Sequence, residues 1–159
     1  MKRIAATLVL AGSLALTLAG CGGGGADGRN AELLQSLPQY PGSVEIDRHS
    51  EELDLSGAAT PSPDARRPAL LVQYATADDK RAVQSFLGER LVRVGFRPST
   101  RRDPSRPKDE LAFVDGQKTV LVAFSQNQFT WSVSAEAGGT PPPGARTFFV
   151  ITAQDEPED

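Results

Sequence analysis

The chain has 159 residues, a formal net charge of −3, one cysteine and one histidine. That length holds one domain with one core and is short for two. A single thiol excludes an intrachain disulfide framework, and one tryptophan and two tyrosines are thin equipment for stacking nucleic-acid bases.

In chain order, Lys2 and Arg3 supply a positive start. Residues 4–18 are apolar, broken only by small Thr7, Gly12, Ser13 and Thr17, and small residues lead on to Cys21. About 15 residues is short of the roughly 20 a membrane span needs, and fits the core of an export signal. Leu18-Ala19-Gly20-Cys21 resembles the lipobox of bacterial lipoproteins, with apolar, small, small and cysteine where export cleavage should fall. The resemblance implies that residues 1–20 are removed as a signal peptide. Cys21 would then carry a diacylglyceryl group on its sulfur, often with a further acyl chain on the freed amine. One acyl chain anchors only marginally, at roughly 0.8 kcal/mol per buried methylene, whereas two or more anchor stably. The implied location is the extracytoplasmic face of a cell membrane. Gly22, rather than Asp, follows the cysteine and lacks the inner-membrane retention signal of enteric-type cells. An outer membrane therefore stays open for a Gram-negative source. Lipidation would also remove the only thiol from zinc or nucleophilic chemistry. The competing reading is a plain secretory signal whose cleavage site abuts a cysteine.

Cleavage would leave 139 residues with a net charge of −5. Residues 21–29, led by Gly22, Gly23, Gly24 and Gly25, read as a lipidated cysteine and flexible tether. Residues 30–154 read as a single domain, and residues 155–159 as an acidic tail that frays. Asn30 is placed to cap a short helix over 31–37, stopped by Pro38. Val44, Ile46, Leu53 and Leu55 alternate with charged residues, as on one half-exposed strand or two short ones. Residues 56–68, with three prolines and no large apolar side chain, read as an exposed loop.

Residues 70–75 form an apolar strand. A long helix should follow, with Thr76 as N-cap and Asp79 three positions on. Its stripe is Val83, Phe86, Leu87, Leu91 and Val94, and Gly95 then Phe96 make the stop. Residues 111–114 and 119–124 flank Asp115-Gly116, a hairpin signal. Phe129, Trp131, Val133 and Ala135 alternate with polar residues as a further strand. A proline-rich loop over 138–144 precedes a last strand over 147–153. Consecutive hairpins imply an α+β fold: an antiparallel sheet of five to seven strands, one long helix packed on one face, and a short N-terminal helix. Leu37-Pro38-Gln39-Tyr40-Pro41-Gly42, Tyr74-Ala75-Thr76 and Val94-Gly95-Phe96 together resemble a recurrent kind of bacterial envelope lipoprotein domain. That resemblance implies fold and location but no chemistry.

Chemistry is sparse. His49 has Asp47, Glu51 and Glu52 nearby, and on a strand Asp47, His49 and Glu51 share a face, a set that suits a divalent ion. A solvated strand edge explains the same pattern. Ser50 points to the opposite face and completes no triad. Serine-hydrolase, zincin, phosphate-loop and calcium-loop spacings are absent. Tyr74 and Trp131 suit a pocket lining or, more simply, the core.

Residues 80–108 hold nine basic residues against Glu89 and Asp103, between acidic flanks. Within that band Arg93, Arg97, Arg101 and Arg102 are the candidate polyanion contacts, beside anionic headgroups or wall polymer. A solvated helix face followed by a polar loop is the plainer reading. The sequence therefore points to a membrane-anchored lipoprotein working as a non-enzymatic interaction or accessory module of the cell envelope. No cofactor, no metal and no nucleic-acid partner are expected. A headgroup- or polymer-binding domain is the alternative, and a metal-dependent hydrolase around His49 the remotest reading.

Overall fold

The computed structural model describes residues 25–55, 63–99, 110–128 and 139–156. In chain order these form α1 (Ala26–Ser36), β1 (Val44–Leu53), a 3-10 turn (Pro63–Ala65) and β2 (Arg67–Thr76). Then come α2 (Lys80–Arg93), β3 (Arg97–Pro98), β4 (Leu111–Asp115), β5 (Lys118–Ser125) and β6 (Thr147–Asp155). The fold is α+β. Among the described residues six strands make one antiparallel sheet in the order β1-β2-β6-β5-β4-β3.

Side-chain composition explains that order. β2 and β6 are near-continuous apolar runs, buried on both faces, and occupy the interior of the sheet. β1 alternates charge along most of its length and lies at one edge. β3 contains Pro98, which donates no ladder hydrogen bond, and lies at the other.

Leu70, Val72 and Tyr74 of β2 and Phe149, Ile151 and Ala153 of β6 face the helices. They form one core with Leu33, Leu34 and Leu37 at α1 and Val83, Leu87 and Leu91 of α2. The opposite face carries Ala69, Leu71 and Val150 in one apolar cluster and Ile46, Ala75 and Phe148 in another. Between them sits Gln73, fully buried, with neither amide atom hydrogen-bonded among the described residues.

The helices have 11 and 14 residues, closer in length than expected, and α1 starts well before residue 31. Residues 26–29 are therefore helical instead of tether. Asn30 is no cap. It is fully buried, its amide NH2 donating to the Pro68 carbonyl (2.9 Å) and its amide oxygen accepting from the Asp155 N–H (2.8 Å).

Thr76 does not cap α2 either, because β2 runs through it and buries it. Asp79 is the N-cap, its carboxylate accepting from the Ala82 N–H at 3.0 Å. The stop is as read: Gly95 takes φ +107°, with Phe96 N–H to Leu91 O (3.0 Å) and Gly95 N–H to Val92 O (3.1 Å). That paired pattern is a Schellman motif. Val94, expected on the apolar stripe, is 53% exposed, because the helix has ended at Arg93 and the closing turn carries Val94 outward.

β1 is one strand with a bulge at Ile46, where the register to β2 shifts between Glu45 and Asp47. The β4–β5 hairpin turns at Gly116, φ +59°, and Gln117. The strand expected at 129–135 lies outside the described residues. Gly139 lies against the bulge: a β-carbon there would sit 2.6 Å from the Glu45 carbonyl oxygen and 3.4 Å from the Ile46 α-carbon. Backbone must move to admit it, so Gly139→Ala is expected to cost about 1–3 kcal/mol in urea unfolding. A neutral substitution would show that this contact is dispensable.

The register sorts the elements into two ends. One end gathers the start of β2, the ends of β1 and β6, and the β4–β5 turn, through Leu53↔Arg67, Asp115↔Lys118 and Lys118↔Asp155. Asn30 clips the first half of α1 there. α2 begins at the other end, beside Thr76 and Thr147, where the Thr147 hydroxyl donates to Asp78 O at 2.8 Å. It delivers the chain back to Arg97, paired with Val114 one residue from the turn.

Candidate functional site

Asp47, His49 and Glu51 do share a face of β1, opposite Gln73, Leu71 and Ala69. Period-two alternation places them there; the chemistry they make is limited. His49 Nε2 lies 3.7 Å from Glu51 Oε2, an ion pair only when the imidazole is protonated. The Asp47 carboxylate instead accepts from the Arg48 N–H at 2.8 Å. Among the described residues, no group of three His, Cys, Asp or Glu side chains is placed to hold a metal ion.

On the other face of β1, Arg48 grips Glu45 with two 2.8 Å hydrogen bonds, Nε to Oε1 and Nη2 to Oε2. The Glu45 carboxylate holds the guanidinium firmly charged. Both side chains are about 40% exposed, so the pair contributes little to stability.

Tyr74 belongs to the core. It stacks on Phe149 with ring centroids 5.3 Å apart, and burial raises its hydroxyl pKa. The cavity beside it, lined by Leu34, Leu37, Tyr40 and Phe149 among others, holds only about 10 Å³. That is room for about one water molecule, not a ligand. Tyr40 leans edge-on against Phe86 (5.2 Å), and its hydroxyl donates to Asp78 at 2.8 Å. Burial first and that hydrogen bond second push its pKa up. The contact ties the loop after α1 to the start of α2. Trp131 lies outside the described residues.

Two surfaces remain, both at the end of the sheet that holds Asn30's clip. The first is an open cleft of about 400 Å³ lined by Gly25, Ala26, Asp27, Ser50, Glu51, Glu52 and Pro68. Its three carboxylates make it acidic. Sequence reading missed it, because it exists only where α1 starts early and crosses the ends of β1 and β2.

The second carries the described part of the basic band, with Asp115 and Asp155 directly opposite Lys118 in the sheet. Arg90 and Arg93 fill the last turn of α2, where cations suit the helix dipole, and Arg97 opens β3. Arg90 also lies over the Phe86 ring at 5.4 Å. Arg93, Arg97 and Lys118 are exposed. Of the four candidate arginines the structure places Arg93 and Arg97; Arg101 and Arg102 lie outside the described residues, as does Cys21. No described helix is long and apolar enough to cross a membrane. No family model, curated protein or solved structure matches the chain.

Proposed function

We propose that the chain is a lipid-anchored lipoprotein on the extracytoplasmic face of a bacterial membrane, acting there as a non-enzymatic binding or accessory module of the envelope. One observation carries this reading: Leu18-Ala19-Gly20-Cys21 follows a positive start and an apolar run of export-signal length. The finer arrangement of the domain fits a displayed module. A two-helix layer closes one face of the sheet, and the charged surfaces gather at the end where α1 begins.

The test is lipid labelling. Expressed whole in a bacterium and fed an alkyne analogue of palmitate, the chain is expected to take up label and fractionate with membranes. Cys21→Ser should abolish both. Label that survives Cys21→Ser, or a wild-type chain without label, would overturn the proposal. Envelope cross-linking then tests the module reading, for which captured partners are expected; a labelled chain that stays alone under every cross-linking condition sinks it.

A second reading, contact with anionic headgroups through the basic band, is favoured by the exposed Arg93 and Arg97 at the same end of the sheet as Gly25.

A further inference from the structure

β1 lies at one edge of the sheet, with β2 beside it on one side only. Two contacts fix which of its backbone groups face outward. The Pro68 carbonyl is taken by Asn30, which also holds the Asp155 N–H of β6, so at Pro68 the backbone of β2 points toward β6. Backbone groups alternate sides along a strand, so Arg67, Ala69, Leu71 and Gln73 point toward β1. Their opposites Leu53, Glu51, His49 and Asp47 make the ladder, and Arg48, Ser50 and Glu52 turn N–H and C=O away from the sheet. The Arg48 N–H accordingly donates to the neighbouring Asp47 carboxylate at 2.8 Å.

Arg48, Ser50, Glu51 and Glu52 are all exposed, and Ser50 and Glu52 border the open acidic cleft. Among the described residues no hydrogen bond reaches the Ser50 or Glu52 backbone from outside the sheet. An uncovered edge is a template for another strand, and charged side chains are a common means of blocking it.

Here the charges block every symmetric register but one. A second copy of β1 pairs antiparallel only with outward residues opposite outward ones, which puts the two-fold axis on a single residue. An axis on Asp47, Arg48, Glu51 or Glu52 sets that charge against itself, and an axis on His49 sets Asp47 against Glu51. Parallel in-register pairing repeats the first fault throughout. An axis on Ser50 has neither fault: Arg48 lies opposite Glu52 of the other copy, and His49 opposite its Glu51.

Side chains and backbone agree on this register. Arg48, Ser50 and Glu52 lie opposite Val72, Leu70 and Pro68, on the helix side of the sheet. Arg48 of one copy is thereby carried to the cleft that Asp27 and Glu52 make acidic in the other. Its pair with Glu45 is about 40% exposed, so exchanging partners costs little. Four backbone hydrogen bonds close about the axis: two between the Ser50 residues, and one from each Glu52 N–H to the Arg48 C=O of the other copy. Asp47 keeps the Arg48 N–H and ends the ladder.

We infer that two copies of the chain join through β1, antiparallel and with Ser50 on the two-fold axis, into one continuous sheet. This goes beyond the lipid-anchor proposal and does not need it.

The pairing is short, well below the area of a lasting interface, so the test is a covalent trap. Directly opposed, hydrogen-bonded residues have α-carbons about 5.5 Å apart, within disulfide range. The full chain bearing Ser50→Cys is purified in mild detergent and oxidised with copper phenanthroline, and dimers are read on non-reducing gels. Mass spectrometry of the linked peptides separates a bridge at position 50 from any made by Cys21. Ser50→Cys is expected to give at least about ten times more bridged dimer than Arg48→Cys or Glu52→Cys alone, whose α-carbons lie about 14 Å from their copies. Mixed together, the Arg48→Cys and Glu52→Cys chains should bridge each other. Arg48→Glu added to Ser50→Cys should suppress bridging, and Glu52→Lys added to both should restore it. All three positions are exposed, and an unchanged urea midpoint verifies that each variant is folded.

A folded Ser50→Cys chain that stays monomeric overturns the inference. Equal yields from the three single variants, as random collision gives, overturn it too. Bridging that ignores Arg48→Glu, or that Glu52→Lys fails to restore, overturns the charge pairing that selects this register.

Discussion

Phe149→Ala is expected to destabilise the domain by about 3–5 kcal/mol, read as a fall in urea midpoint at constant slope. Phe149 is 1% exposed on β6, a central strand of the sheet. Its ring stacks on Tyr74 and lies 6.2 Å from Phe124, so one side chain joins β2, β6 and β5. Helix packing comes down on the same cluster, which includes Leu34 and Leu87. Truncation would remove the apolar burial and leave a void that three strands and two helices cannot close together. Domains of this size hold about 5–15 kcal/mol in all, so the loss would consume a large part of the stability. Phe149→Leu keeps much of the volume and should cost distinctly less. A loss under about 1 kcal/mol for the alanine variant would show that the core is centred elsewhere.

The parts of this fold that were legible in the sequence are those fixed by local chemistry. Gly95 and Phe96 announce the end of α2 because only a left-handed residue followed by an apolar one makes that stop. The β4–β5 hairpin announces itself through Asp115-Gly116, and β2 through its apolar run. What stayed hidden depends on partners far away in the chain. Asn30 looks like a helix cap, since nothing local says that Pro68 and Asp155 will arrive to use its amide. Gln73 interrupts an apolar strand without exposing itself, which no alternation rule anticipates. β3 is two residues long and pairs by backbone alone, so side-chain pattern carries no trace of it.

The candidate sites divide the same way. A shared face for Asp47, His49 and Glu51 follows from strand periodicity. That Arg97 and Gly25 share one end of the sheet follows only from the strand order, in which the last strand enters between β2 and β5. The basic band was visible as composition. The place of Arg93 and Arg97 at the Gly25 end of the sheet was not.

Asn30→Ala tests how α1 is fastened to that end of the sheet. Its amide makes two bonds, one to each of two strands, and both disappear. Each is worth about 1 kcal/mol, and the Pro68 carbonyl and Asp155 N–H left behind are only half-buried, so water repays part of their desolvation. The expected cost is about 2–3 kcal/mol in urea unfolding.

Asn30→Asp should be worse at pH 7. It keeps an acceptor for the Asp155 N–H but turns a carboxylate oxygen toward the Pro68 carbonyl and buries a charge. Burial and the facing carbonyl would raise the folded-state pKa of that carboxyl above its unfolded value of about 3.9. Stability is therefore retained below that unfolded value and lost as pH rises through the folded one. The deficit of Asn30→Asp relative to Asn30→Ala should shrink from pH 7 to about pH 4, and a pH-independent difference would exclude a buried charge as its cause.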